Sequence, residues 1–343
     1  MLLMDLRLFL VLFQTASGTM NQEDKEALQK KNSQISEFVL LGLSDSQEWQ
    51  SLFFVIFFFI YIITVGGNVY IILAYRFSPN LHTPMYFYLA NFSFLDICYI
   101  TGTVPKMLSN FLSEQKTISV YGCSIQMYCV WLFGGTECYI LAAMAYDRYN
   151  AICHPLLYQV IMNKATCTKL IIGSWVIGAV NSLIHTVLTF SLTFCSNKIN
   201  HFFCDVPPVL ELSCTSTWIN ELVIFFISGC VIIGSFILIM ISYIKIISAI
   251  FKAHSRRGRR KTFSTCTSHL IVVTIFYGSG IFMYFRPKSS YGMDQDRLVS
   301  VMYTVIAPML NPFVYSLRNS EVKLAMKRIL YRERTGPFKP VLD

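Results

Sequence analysis

The chain has 343 residues, of which 54% are apolar and 14% charged, and its mean hydropathy is +0.52. That balance lies far outside ordinary soluble domains and makes a membrane protein the default class. A formal charge of +9 would suit nucleic acid, but here the charge divides across a membrane. Anionic lipid or a cytoplasmic partner accounts for it, and nucleic acid is set aside.

In chain order, residues 1–20 read MLLMDLRLFLVLFQTASGTM. The brief apolar stretch from Leu8 to Phe13 and the small residues Ala16 to Gly18 make a weak signal-peptide pattern. Asp5 argues against it, and Met20 serves equally well as a start, with the preceding stretch an upstream extension. Residues 21–36 are polar and mixed in charge, which predicts a mobile tail too short to fold alone. The whole of 1–50 is assigned to an N-terminal tail outside the membrane. It lacks an N-x-[ST] sequon; Asn91-Phe92-Ser93 matches but lies inside an apolar run.

Apolar runs follow at 51–75, 85–108, 123–147, 167–190, 219–247, 263–285 and 298–317. Each is long enough, at about 1.5 Å per residue, to cross a hydrocarbon core of about 30 Å. They are continuous rather than alternating, and lipid requires backbone groups to be satisfied within the segment, so helices are expected and not barrel strands. The fold class is an all-α seven-transmembrane helix bundle over 51–317. An odd number of spans puts the termini on opposite sides. Arg76, Lys164, Lys169, Lys252, Arg256, Arg257, Arg259, Arg260, Lys261 and a basic tail mark the cytoplasmic face, with the N-terminus outside.

Asp96 and Glu137 fall inside predicted spans, where an ionised carboxylate costs at least about 2.5 kcal/mol and must face the bundle or water. Asn311 of the seventh span can complete a polar cage with them around a sodium ion or a shared proton. A hydrogen-bond network that fixes helix register is the equal alternative. Asp147-Arg148-Tyr149 sets a permanent cation beside a carboxylate at the inner end of the third span, with Tyr243 within reach. Pro308 and Pro312 predict a kink beside Asn311 and Tyr315, although prolines also occur in inert membrane helices. In the tail, 318–343, the stretch from Arg318 to Leu330 reads as an amphipathic helix lying on the membrane surface.

Of 11 cysteines, most sit in apolar runs as ordinary packing. Cys123, Cys195, Cys204 and Cys214 lie on the outer side, where disulfides form, and spacing alone leaves three connectivities open. His201-Phe202-Phe203-Cys204-Asp205 has soft-metal chemistry, but disulfide formation with loop packing is the stronger reading, since zinc sites need four close ligands.

Several motifs stand in order: Leu41-Gly42-Leu43-Ser44, Gly67-Asn68, Pro84-Met85-Tyr86-Phe87-Tyr88-Leu89-Ala90-Asn91, Met144-Ala145-Tyr146-Asp147-Arg148-Tyr149, Ser242-Tyr243, Lys261-Thr262-Phe263-Ser264-Thr265-Cys266 and Pro308-Met309-Leu310-Asn311-Pro312. Together they resemble the tetrapod-type odorant receptors among the rhodopsin-like G-protein-coupled receptors, over residues 37–330. The resemblance implies disulfides Cys123–Cys204 and Cys195–Cys214. It implies a plasma-membrane receptor whose Arg148 turns toward a heterotrimeric G protein of the olfactory stimulatory type, raising cyclic AMP. Asp147, Tyr149, Tyr243, Asn311, Pro312 and Tyr315 would serve that activation. Three features depart from the family pattern: Asn150 replaces the usual apolar residue, the tail lacks its sequon, and residues 1–20 are extra. As in its relatives, no Glu stands at the inner end of the sixth span to hold Arg148.

A ligand cavity in such a bundle opens among the third, fifth, sixth and seventh spans. Candidate contacts are Met127, Val130, Trp131, Gly134 and Gly135; Asn181 and His185; Ile227, Ser228 and Val231; Tyr277, Gly280, Ile281 and Tyr284; and Val301 and Thr304. Each can instead serve helix packing, the glycines by admitting a close neighbour. That stretch of the third span has no acid to pair with an amine, and the seventh has no lysine to hold retinal. A small, mostly apolar, uncharged volatile with one hydrogen-bonding group fits, and no organic cofactor is implied. The rival readings are a transporter or channel using Asp96 and Glu137, which would show repeated halves, and an intramembrane enzyme. The enzyme reading lacks a nucleophile and base, since spacing gives His185 and His269 no serine or cysteine partner.

Overall fold

The structure is a computed structural model that describes residues 35–43, 46–252, 256–284 and 293–316. The leading stretch 1–20, the tail up to 34, the helix read over 318–330, and the side chains of 256–265 and of Tyr284 lie outside the described residues.

Helices occupy each predicted run: α1 (Gln47–Phe77), α2 (Pro84–Phe111), α3 (Val120–Cys153), α4 (Lys164–Phe190), α5 (Trp218–Lys252), α6 (Arg256–Tyr284), and α7, built from Met293–Val301, Met302–Ile306 and Ala307–Ser316. All but α2 are long and apolar enough to cross a membrane. α2 has the length, at 28 residues, but Asp96 and Lys106 interrupt it and polar Ser93, Thr103 and Asn110 share its buried face. It packs between α1 and α3.

Which way each helix turns its apolar side follows from its surroundings. α1 exposes Leu52, Val55, Phe59 and Ile62, and α5 exposes Ile233, Ile237, Ile241 and Ile244. These repeats of three and four residues leave an apolar stripe facing outward, which lipid accepts and water would not. α3 is the most buried of the long apolar helices. Its crossing with α4 depends on glycine: a Cβ on Gly178 would sit 2.6 Å from the Leu132 carbonyl oxygen, and one on Gly135 would be 3.2 Å from Gly178 Cα.

Pro312 has no N–H, so the carbonyl of Pro308 loses its helical partner one turn back. The Asn68 side-chain amide of α1 donates to that oxygen at 3.3 Å. Gly67 lets α1 come that near, since a Cβ there would meet the Pro312 Cβ at 3.0 Å. π turns occupy Ile224–Ser228 in α5 and Met302–Ile306 in α7, each shifting the inward face by one residue.

One end of the bundle is capped. β1 (Glu37–Leu40) pairs antiparallel with β2 (Thr117–Ser119) and parallel with β3 (Lys198–Ile199). Phe38 and Leu40 point inward and are fully buried, and Phe38 meets Phe194 edge-on at 5.3 Å between ring centres. This strand lies within residues 1–50, where the sequence predicts only a tail. Its four residues carry little periodicity, and their bonding partners lie about 80 and 160 positions further along the chain. Disulfides Cys123–Cys204 and Cys195–Cys214, the pairs implied by the resemblance, hold the loop between α4 and α5 over this end. Gln126 donates to the Gly102 carbonyl and accepts from the Cys204 N–H, both at 2.9 Å, tying α2, α3 and the loop together.

Candidate functional site

Beneath the cap lies a cavity with about 590 Å³ of unfilled space between side chains, counting what opens outward. Of the residues named from sequence, Val130, Trp131, Gly134, Gly135, Asn181, Ser228, Val231, Tyr277 and Gly280 line it, and Tyr99, Cys138, Ile232, Phe276 and Tyr303 join them. Met127 does not line it, being fully buried among the residues under the cap. Ile281 does not because it faces outward, 41% exposed. Ile227, Val301 and Thr304 are also off the wall, and Thr304 spends its hydroxyl on the Ser300 carbonyl at 2.6 Å. Tyr99 comes from α2, which is not among the spans expected to form the cavity. Nothing in the spacing of α2 alone would have pointed to it.

His185 stands behind the wall, its ring 4.3 Å from that of Trp131. Spacing implies no serine or cysteine partner for His185; in the fold its Nε2 bonds Ser228 Oγ at 2.7 Å. The π turn ending at Ser228 brings that hydroxyl inward. Ser228 gives its own proton to Asn181 Oδ1 at 3.3 Å, so the imidazole N–H donates to the serine. An activated nucleophile needs the opposite polarity.

The loop reaches into the site through Asp205, which is fully buried. Its carboxylate accepts from Trp131 Nε1 at 2.9 Å, from the Val206 N–H at 2.8 Å and from the Tyr303 hydroxyl at 3.2 Å. Two walls of the cavity are thus pinned by one loop carboxylate. Next to it, His201 Nε2 bonds Ser300 Oγ at 3.1 Å and its Nδ1 accepts from the Phe203 N–H at 3.4 Å, while Arg297 bonds Asn200. Burial, then the positive charge of Arg297, hold the His201 imidazole down at about 3. His201 and Cys204 are therefore committed to packing and to a disulfide.

Deeper in the bundle, Asn311 donates to both carboxylate oxygens of Asp96, at 3.1 and 3.0 Å. Glu137 is also fully buried, and neither of its oxygens has a hydrogen-bond partner among the described residues. At the other end, Asp147 accepts from the Tyr158 hydroxyl at 2.8 Å and lies 3.9 Å from Arg148 Nε. Tyr149 bonds His154 at 2.9 Å and lies under Lys245 Nζ, 5.2 Å from the ring centre. Tyr243 bonds His269 of α6 at 2.9 Å, so its hydroxyl is engaged with α6. Tyr315 is buried edge-on to Phe92.

The family model for the olfactory receptor matches residues 57–333. Relatives include mouse olfactory receptor 5AP2, 50% identical over 89% of this chain and 97% of its own length. Human olfactory receptor 8U9 is 49% identical over 87% of this chain and 97% of its own. Human olfactory receptor 5I1 is 50% identical over 86% and 95%.

Proposed function

The chain belongs to the olfactory receptor family, a multi-pass membrane receptor whose seven spans include α2, and from that premise we propose that it detects a small, mostly apolar, uncharged volatile in the cavity beneath the cap. The observation that carries this is the wall itself: aromatic, aliphatic and glycine positions with Asn181, Ser228 and tyrosine hydroxyls, and no charged side chain among the lining residues. Burial of apolar ligand surface supplies about 25 cal/mol per Å², and one hydrogen bond adds about 1 kcal/mol, so affinity is modest. In this reading the capped end faces outside and the Asp147–Arg148 end faces the cytoplasm of a plasma membrane, supported by the basic residues on that side.

In this reading, ligand binding moves α6 against α3 and α5, and Arg148 leaves Asp147 to engage an olfactory-type stimulatory G protein, raising cyclic AMP. Tyr149, Tyr243, Asn311, Pro312 and Tyr315 are the positions that rearrange. Glu137, unbonded near Asp96 and Asn311, is where a sodium ion or a shared proton would weigh on the equilibrium. The test is cyclic AMP in cells carrying the receptor and that G protein, over a chemically broad odorant panel, beside Arg148→Ala at equal surface expression. A response lost in the mutant supports the reading. Ligand-driven current without a G protein would favour a channel instead.

A further inference from the structure

The hydrogen bonds behind the cavity run in one direction, and that direction sets what the cavity offers a ligand. The His185 N–H donates to Ser228, and Ser228 donates to Asn181 Oδ1. This chain of donors fixes which way the Asn181 amide faces. Its oxygen is spent on Ser228, and among the described residues its Nδ2 has no acceptor, although Asn181 is 95% buried. An amide N–H₂ without an acceptor is met by an incoming oxygen.

That nitrogen is reachable. It lies against Gly135, where a Cβ would come within 3.7 Å of it, and Gly135 and Asn181 both line the cavity. Of the other polar groups on the wall, the Tyr99 hydroxyl has no hydrogen bond among the described residues, and three further groups are already paired. The Tyr277 hydroxyl bonds Ser235 and the Cys138 carbonyl, the Tyr303 hydroxyl bonds Asp205 and Ser300, and Trp131 Nε1 bonds Asp205.

We propose that Asn181 Nδ2 is a specificity-determining donor of the cavity, and that the receptor selects volatiles bearing a carbonyl-type oxygen over hydrocarbons of the same skeleton. The inference rests on the cavity being the ligand site. A carbonyl accepts from the amide, whereas a hydrocarbon leaves the amide unmet.

The probes are matched sets: acetophenone, 1-phenylethanol and ethylbenzene; 2-heptanone, 2-heptanol and heptane. Binding is read on the purified full-length receptor as a ligand-induced rise in Tm, which needs no G protein, with cyclic AMP read separately in cells. The expected result is carbonyl binding about five- to tenfold tighter than the hydrocarbon match, the factor that about 1 kcal/mol confers. In Asn181→Leu that preference falls to within about twofold while hydrocarbon binding persists. Should Asn181→Leu fail to fold, Ser228→Ala carries the test: it frees the amide to turn its oxygen inward, and the alcohols gain on the ketones. Equal binding across a set, unchanged preference in both variants, or no carbonyl binding overturns the proposal. Carbonyl binding that depends on Asn181 but raises no cyclic AMP leaves it standing and defeats the signalling reading instead.

Discussion

At position 178 a missing side chain lets α3 and α4 cross, because a Cβ there would overlap the α3 backbone and Thr136. Gly178→Ala is expected to cost about 1–3 kcal/mol as overpacking and to lower surface expression. Gly134→Ala, whose Cβ would meet nothing nearer than the Tyr99 hydroxyl at 3.7 Å, is expected to express normally; flow cytometry of a tagged receptor separates the two. His201 gives a prediction in pH. Folded, its imidazole stays neutral down to about 3, whereas in the unfolded chain it protonates below about 6.5. Its contribution is therefore fully present above about pH 6.5 and is lost as pH falls from there toward 3, amounting to about 2 kcal/mol at pH 5. The Tm of the purified receptor should fall between pH 7 and 5, and His201→Gln should flatten that slope. The residue types at these places could be read directly, since carboxylates, glycines and histidines inside apolar runs stand out. Their partners could not: Asp205 meets Trp131 and Tyr303 from 74 and 98 positions away.

The helices illustrate how far local physics reaches. Their number and placement follow from the length of apolar runs, because lipid leaves the backbone no other way to satisfy itself. The prolines of α7, Pro308 and Pro312, were equally visible. What meets the freed Pro308 carbonyl was not, since the Asn68 amide comes from α1 across 240 positions. Asn68→Leu should leave the Pro308 carbonyl unsatisfied at about 1–3 kcal/mol and lower the Tm accordingly. The cap shows the converse case. β1 has no stability of its own and exists by pairing with β2 and β3. Phe38→Ala should cost about 3 kcal/mol and raise hydrogen exchange at Val39, Leu40 and Leu41, whose amides bond Asn197, Lys116 and Ile199, while α3 stays protected.

Over the whole molecule, the cap, cavity, carboxylate cage and Arg148 end are stacked along α3, which carries Trp131, Glu137 and Arg148 in turn and touches α2, α4, α5 and α6. A change at the wall therefore has a short, packed route to the opposite end. The amino-acid sequence by itself determined the class, the helices, the motif positions and the outer cysteines, because hydrophobic length, charge and residue identity act over one or two turns of chain. Only the tertiary structure decided that Tyr99 belongs to the cavity, that His185 has a serine partner, that Asp205 pins two walls, and that the first strand is a strand. Each of these depends on groups brought within about 3 to 5 Å from distant parts of the chain, and hydrogen bonds and van der Waals contacts act only at that range.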